Sequence, residues 1–337
     1  MTFCCKEVKE FKEFKEIKIP KRYMEVDVKS PDVLKKVVAN VEEVIIGKRE
    51  AIELVLCAIV CGGHVLIEDM PGVGKTTLVS SLAKSFDCSF KRIQFTPDIL
   101  PSDITGFSMY NQKTGEFEYY KGAIMSQIIL ADEINRTSPK TQSSLLEVME
   151  ENQVTVDGVT YQVPRPFVVF ATQNPIEYLG TYPLPEAQLD RFFLKVSLGY
   201  PTPEEEGEML ERFKVGNPLK KLESVAGAQD LLDAQEEVNN VHVKSDINRF
   251  IVNIVTGTRN NPQIALGASP RAGICLYKSA QAMALYRERD YVIPDDVIKM
   301  TVPVLEHRLV LKQDTRLKNI GVQDVIKDIL RTIGMPL

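Results

Sequence analysis

The stretch LIEDMPGVGKTTL, residues 66–78, constrains this chain more than any other. An apolar run ends in a tight turn of small residues, and a lysine with two threonines opens the next element. That order predicts a strand, a loop and a helix, with backbone amides closing around phosphate groups. Pro71, Gly72, Val73 and Gly74 supply the turn, Lys75 the charge for the terminal phosphates, and Thr76 a hydroxyl for Mg²⁺, with Thr77 beside it. The usual pattern, G-x-x-x-x-G-K-[ST], begins with glycine, where this chain has Asp69. A carboxylate facing a triphosphate repels it. Asp69 is therefore expected at the strand end, before the tight part of the turn, with its side chain pointing away from the phosphate cavity.

Repeating order surrounds this unit. Apolar positions recur at helical spacing over residues 31–44, with Ser30 as N-cap and Pro31 in the first turn; Gly47 breaks the pattern and a second helix runs over 49–61. Strand-like runs follow at 64–69, 91–95, 126–131, 167–171 and 193–197, several separated by helical patterns. This alternation predicts an α/β fold with a parallel, doubly wound sheet. Two hairpins interrupt it. One turns at Lys113-Thr114-Gly115; the other turns at Asp157-Gly158, a strong two-residue hairpin signal. From 199–206 onward the chain reads as helical to its end. The expected organisation is a charged extension (1–25), a nucleotide-binding core (26–200) and an all-helical lid (201–337).

Length and charge narrow the function. A chain of 337 residues suits about two domains. A net charge of −5 gives no bulk attraction for phosphate backbones, so nucleic acid would need a local basic patch. No signal-peptide pattern is present, and the most apolar run, 55–67, is broken by Gly62, Gly63 and His64. A cytoplasmic protein without membrane insertion is expected. Six cysteines do not form a disulfide framework here. Cys57, Cys61 and His64 have a metal-like spacing within an apolar segment, which fits buried thiols better. Residues 6–22 repeat Lys-Glu-apolar every three positions, so the stripe of Val8, Phe11, Phe14 and Ile17 drifts around a helix. A solvated helix or frayed tail accounts for it; a docking peptide is the alternative.

Further along, IILADEINR ends an apolar strand in Asp132-Glu133. Behind a phosphate loop, Asp132 suits Mg²⁺ held through its water shell, and Glu133 suits a base that orients and deprotonates an attacking water. The next strand, FVVFATQNP, ends at Asn174, whose amide can fix the same water or simply cap an Asn-Pro turn. With the helical appendage, these strand ends resemble the AAA+ ATPases. FTPDILPSDITGF (95–107) and GTYPLPEAQLDRF (180–192) narrow the resemblance to the MoxR family, from about residue 26 to the C-terminus.

That resemblance implies ATP and Mg²⁺ as cofactors and a ring of subunits, most simply a hexamer. Arg191 in LDRF looks like an arginine finger for a neighbour's γ-phosphate, and Arg271 in GASPRAG like a second sensor on the lid. Arg136 is a candidate for a further contact across the interface. Residues 44–47, ending at Gly47, resemble the stretch that packs on adenine. The hairpins match inserts of the same clade, which project from the ring. Relatives act as chaperone-like remodellers alongside proteins with a von Willebrand factor A domain, and nucleic acid is not an expected partner. Two alternatives stand beside this: a DNA-acting motor, which needs basic hairpins, and a nucleotide switch with little turnover.

Overall fold

The computed structural model describes residues 30–174, 180–214 and 216–334. The Lys-Glu repeat lies outside them. The chain opens with α1 (Ser30–Glu42) and α2 (Arg49–Val60). Leu34, Val37, Val38 and Val41 of α1 are buried, spaced as one helical face. The nucleotide-loop unit follows as β1 (Val65–Glu68) and α3 (Lys75–Ser85), then β2 (Phe90–Gln94) and α4 (Pro101–Thr105). After a hairpin of β3 (Gly106–Asn111) and β4 (Glu116–Lys121) come β5 (Ile128–Asp132) and α5 (Pro139–Glu151). A second hairpin, β6 (Gln153–Val156) and β7 (Val159–Gln162), precedes β8 (Val168–Gln173), α6 (Glu186–Leu189) and β9 (Leu194–Val196).

Five strands form one sheet in the order β2-β5-β8-β1-β9, with every neighbouring pair parallel. Parallel strands covered by helices on both faces read as unbroken apolar runs, and all five residues of β5 are buried. One face packs on α1, α2 and α3; the other packs on α5. The two hairpins stand apart from this sheet. Asp157 and Gly158 have φ of +49° and +80°, the pair of left-handed residues a tight two-residue turn needs. The hairpins touch through stacked rings of Tyr119 and Tyr161, 4.0 Å apart.

Beyond the sheet the chain continues through α7 (Pro203–Lys214), α8 (Pro218–Lys221), α9 (Ala228–Glu237) and α10 (Ser245–Asn260). Then come β10 (Ile264–Leu266), α11 (Pro270–Tyr286), α12 (Pro294–Leu305), β11 (Val310–Leu311), α13 (Gln313–Leu317) and α14 (Val322–Thr332). An entirely helical C-terminal part is therefore not what forms: β10 and β11 pair antiparallel. Strands of three and two residues are too short to show alternation in a sequence. These helices share a continuous apolar core with α1, α2 and β9. Among the described residues, no helix is long and apolar enough to cross a membrane.

The Cys57–His64 segment is structural. Cys57 is buried, and burial pushes its thiol up to about 12. Cys61 departs from the expectation: it is partly exposed, and its thiol donates to the Lys278 carbonyl at 3.3 Å. His64 lies 2.9 Å from the Met149 carbonyl through Nε2 and accepts from the Val169 amide at 3.0 Å through Nδ1. Both ring nitrogens thus tie β1 to α5 and β8.

Asp69 turns away from the loop, as its place in the sequence predicts. Its carboxylate accepts from the Ser197 hydroxyl at 2.9 Å, the Gly199 amide at 3.2 Å and the Leu198 amide. It staples β1 to the chain leaving β9. Restoring the usual glycine should therefore harm the protein. Asp69→Gly strands buried donors at a cost of about 1–3 kcal/mol. A calorimetric melt should fall by several degrees; an unchanged or higher midpoint would refute the staple.

Acid should destabilise the fold through its histidines. Burial lowers the His64 pKa from 6.5 to about 4, and His307 is pushed well below its ordinary value by burial and the adjacent Arg308. The unfolded chain takes up these protons first. The contribution is complete above pH 6.5 and disappears as pH falls towards 4, by up to about 3 kcal/mol for His64. Urea unfolding at stepped pH should show this loss, with a shallower slope for His64→Gln.

Candidate active site

The phosphate loop is shaped by backbone. Gly72 and Gly74 have φ of +86° and +94°, a region open to glycine and strained for other residues. Gly74 is the N-cap of α3, with no side chain bonded across that end. The first amides of the helix, at Lys75, Thr76 and Thr77, therefore face the concavity where an anion is favoured. Lys75 reaches back over the loop, its Nζ donating to the Asp69 carbonyl at 2.8 Å. Pro71 and Val73 complete the turn. Ile45 comes within 3.9 Å of the point where a Cβ on Gly74 would stand, so residues 44–47 lie against the loop. A Cβ on Gly47 would fall inside the Glu205 carboxylate, which brings the start of α7 down onto the same turn.

The acidic pair sits along the same sheet edge. Asp132 ends β5, two strands from β1 and so roughly 10 Å across the sheet. Its Oδ1 accepts from the Thr172 hydroxyl at 2.6 Å, and its Oδ2 accepts from Arg92 at 2.6 and 3.1 Å. Glu133 has a φ of +58°, an uncommon conformation for glutamate. Its amide donates to the Thr172 hydroxyl at 2.8 Å, making that hydroxyl the hub between the two acids. The Glu133 Oε2 accepts from Gln94 at 2.7 Å and pairs with Arg136 at 3.3 Å. Asn174 is buried just past β8, on the same edge. Arg136 thus stands on its own chain's Glu133.

Arg191 and Arg271 lie elsewhere. Both bind the carboxylate of Glu150, at 3.0 Å from Oε2 and 3.1 Å from Oε1 respectively. Glu150 is near the end of α5, next to Met149, whose carbonyl meets His64 at the start of β1. The Phe193 amide, two residues after Arg191, donates to the His64 carbonyl at 2.7 Å. His64 and Asp69 are five residues apart along β1, which separates the two sheet edges by roughly 16 Å. The arginines occupy the edge opposite the phosphate loop. A clamp fixes them there: Asp190 accepts from the Ser269 hydroxyl at 2.9 Å and from buried Arg308 at 2.7 Å. Ser269 also caps α11, so Arg191 and Arg271 flank one joint between sheet and helices.

Sequence reasoning did not find Arg92, Gln94, Thr172 or Glu150. The first two share one face of β2, at i and i+2, and polar residues at the end of a strand beside β5 were the available signal. Nothing in the sequence around Glu150 marks it.

Known proteins show the same plan. The model of the ATPase family associated with various cellular activities (AAA) matches residues 64–194, and the AAA lid domain matches residues 256–329. YeaC, an uncharacterized protein of Bacillus subtilis, is 52% identical over 304 residues, covering 90% of this chain and 95% of that protein. Chaperone MoxR1 of Mycobacterium tuberculosis is 43% identical over 312 residues, covering 90% and 82%. A crystal structure of an ATPase candidate from Cytophaga hutchinsonii superimposes with a TM-score of 0.85 at 40% identity, over 91% of this chain and 96% of that one. With the phosphate loop, the acidic pair and the lid in place, the chain belongs to the MoxR family of AAA+ ATPases.

Proposed function

We propose that this protein hydrolyses ATP in a head-to-tail ring, as a chaperone-like remodeller of partner proteins. One observation carries the reading. Arg191 and Arg271 lie together at the sheet edge opposite their own phosphate loop, fixed by a shared carboxylate and a buried clamp. Arginines so placed serve a neighbouring subunit's nucleotide, and each site needs two copies.

In this reading Lys75 and the amides of residues 72–77 hold the β- and γ-phosphates, while the Gly47 turn takes the adenine. Thr76 and Asp132 offer the oxygen donors a hard cation prefers and would hold Mg²⁺, which when bound would supply charge neutralisation to the phosphates. Both oxygens of Asp132 already accept hydrogen bonds, which suits a contact through the cation's water shell. Glu133 orients and deprotonates the attacking water, with Asn174 fixing it from the next strand. As the γ-phosphoryl leaves, negative charge spreads over its oxygens. Arg191, joined by Arg271, stabilises that charge from the neighbour. The core of residues 26–200 and the lid of 201–337 are the parts that would shift with nucleotide state, in a ring of six by family.

The first hairpin favours a protein client over nucleic acid. Phe107, Met109, Tyr110, Phe117 and Tyr120 are exposed on it, and Lys113 and Lys121 are balanced by Glu116 and Glu118. Apolar, electrically neutral fingers suit a protein surface and give no pull on a phosphate backbone. By family, the partner is a protein with a von Willebrand factor A domain, working in the cytoplasm.

Steady-state ATPase assays test this. Lys75→Ala should abolish nucleotide binding. Glu133→Gln should retain binding and lose at least about 10²-fold in turnover. Arg191→Ala should lose on the order of 10³-fold or more. Mixing Arg191→Ala with Glu133→Gln should restore part of the activity, because mixed rings contain interfaces with an intact Glu133 and an intact arginine. Normal turnover by Arg191→Ala, or no recovery on mixing, would sink the shared site.

A further inference from the structure

Helix α7 has an apolar stripe that the chain does not bury. Met209, Leu210 and Phe213 fall on one face, at i, i+1 and i+4. Leu210 is 74% and Phe213 55% exposed, and no residue of α7 is buried. Polar contacts hold the flank of the helix beside Met209. Arg212 donates to the carbonyls of Glu42 and Glu43 at 2.9 and 2.6 Å, and Glu205 pairs with Lys48 at 3.6 Å. The Tyr200 carbonyl accepts from the same lysine at 2.9 Å. These contacts place α7 on the face of the molecule that carries the Gly47 turn and the phosphate loop.

A second unburied apolar surface lies on the opposite face. Helices α10 and α11 bound a groove of about 510 Å³, lined by Ile251, Val252, Val255, Gly273, Ile274 and Tyr277. Val252 is 61% and Ile274 58% exposed at its mouth. The groove begins at Pro270, beside Arg271, and so belongs to the arginine edge. Its surroundings are basic: Lys244, Arg249, Arg259 and Lys278 are exposed on or beside these helices, with Asp246 the acid among them. The start of α7 is acidic, carrying Glu204, Glu205, Glu206 and Glu208.

Two patches on opposite faces cannot meet within one chain, nor across a two-fold axis, which pairs unlike patches only when both lie on the same face. They can meet head to tail. We propose that α7 of one copy seats Met209, Leu210 and Phe213 in the α10–α11 groove of the next copy, with its acidic turn against the groove's basic rim. The contact rests on the shared-site reading above for its direction: the loop face of one subunit meets the arginine face of its neighbour. It extends that reading by naming an apolar anchor. The start of α7 rests on the Gly47 turn, so whatever enters beside that turn bears directly on the helix that grips the neighbour's lid.

A photo-crosslinker tests the contact without reference to turnover. Benzoylphenylalanine at position 210 of the full chain, irradiated with ATP·Mg²⁺ in a mixture of ¹⁴N- and ¹⁵N-labelled protein, should give adducts between copies. Peptide mass spectrometry should place them on residues 245–277. Adducts on another copy's α7, adducts within one chain only, or the absence of adducts overturns the proposal. Independently, Leu210→Glu and Ile274→Glu should each raise the half-assembly concentration at least about tenfold in mass photometry, with the melt of the monomer unchanged. Combining Leu210→Glu with Ile274→Lys should recover part of the loss; a persistently normal assembly of either single variant overturns the contact. The two readings fail separately. Adducts on α10–α11 alongside normal turnover by Arg191→Ala would sink the shared site and leave the docking intact. Adducts elsewhere alongside inactive Arg191→Ala would do the reverse.

Discussion

A parallel sheet has two unlike edges, and nearly everything in this molecule follows from that. All five strands run the same way, so the turns that follow them gather at one edge and the turns that precede them at the other. The phosphate loop after β1 and the acids after β5 share the first edge. Arg191 precedes β9, at the second. Strand β1 is buried between β8 and β9, and both of its ends are fastened. His64 bonds to the α5 and β8 backbone at one end, and Asp69 staples the exit of β9 at the other. A sheet pinned in this way holds anion-binding amides and guanidinium groups at a fixed separation. In the proposed ring, hydrolysis on such a frame becomes a property of adjoining copies.

Local pattern made the phosphate edge legible in the sequence. Small residues, a lysine and a hydroxyl must be contiguous to wrap phosphate, and buried parallel strands must be apolar throughout; both constraints act over a few residues. The Asp157-Gly158 turn was legible for the same reason. The displaced carboxylate of Asp69 was open to reasoning too, because a residue at a strand end can turn its side chain out of the loop. Tertiary partners were not. Glu150 matters only because α5 brings it beside Arg191 and Arg271, which follow it by 41 and 121 positions. Gln94 gains its importance from lying opposite Asp132 in the β2–β5 register, next to Glu133. The β10–β11 pair escaped for a different cause, since its strands have too few residues to carry a period.

The acids are held before any substrate arrives. Thr172 joins them through one hydroxyl, and Glu133 is kept at positive φ, a strain of about 1–3 kcal/mol that the surrounding bonds must offset. Gln94 and Arg136 supply part of that offset through the carboxylate. Asp132 is the more enclosed of the pair, its side chain 11% exposed against 24% for Glu133. In the proposed mechanism, that division suits a metal-side carboxylate beside a base that reaches towards water.

Magnitudes decide what becomes of the arginines. The Glu150 pairs are partly exposed, with side-chain exposures of 30–41%, and contacts of that kind contribute roughly 0–1 kcal/mol each. Guanidinium stabilisation of a departing phosphoryl group is worth 10³–10⁵ in rate, or about 4–7 kcal/mol. If the proposed shared site holds, the exchange of Glu150 for a neighbour's phosphate is strongly favoured in the transition state, because the loss of the carboxylate contact barely opposes it. In that reading Glu150 keeps two flexible side chains aligned without withholding them. A buried acid in its place would trap the arginines, and an apolar residue would leave them to disperse into solvent.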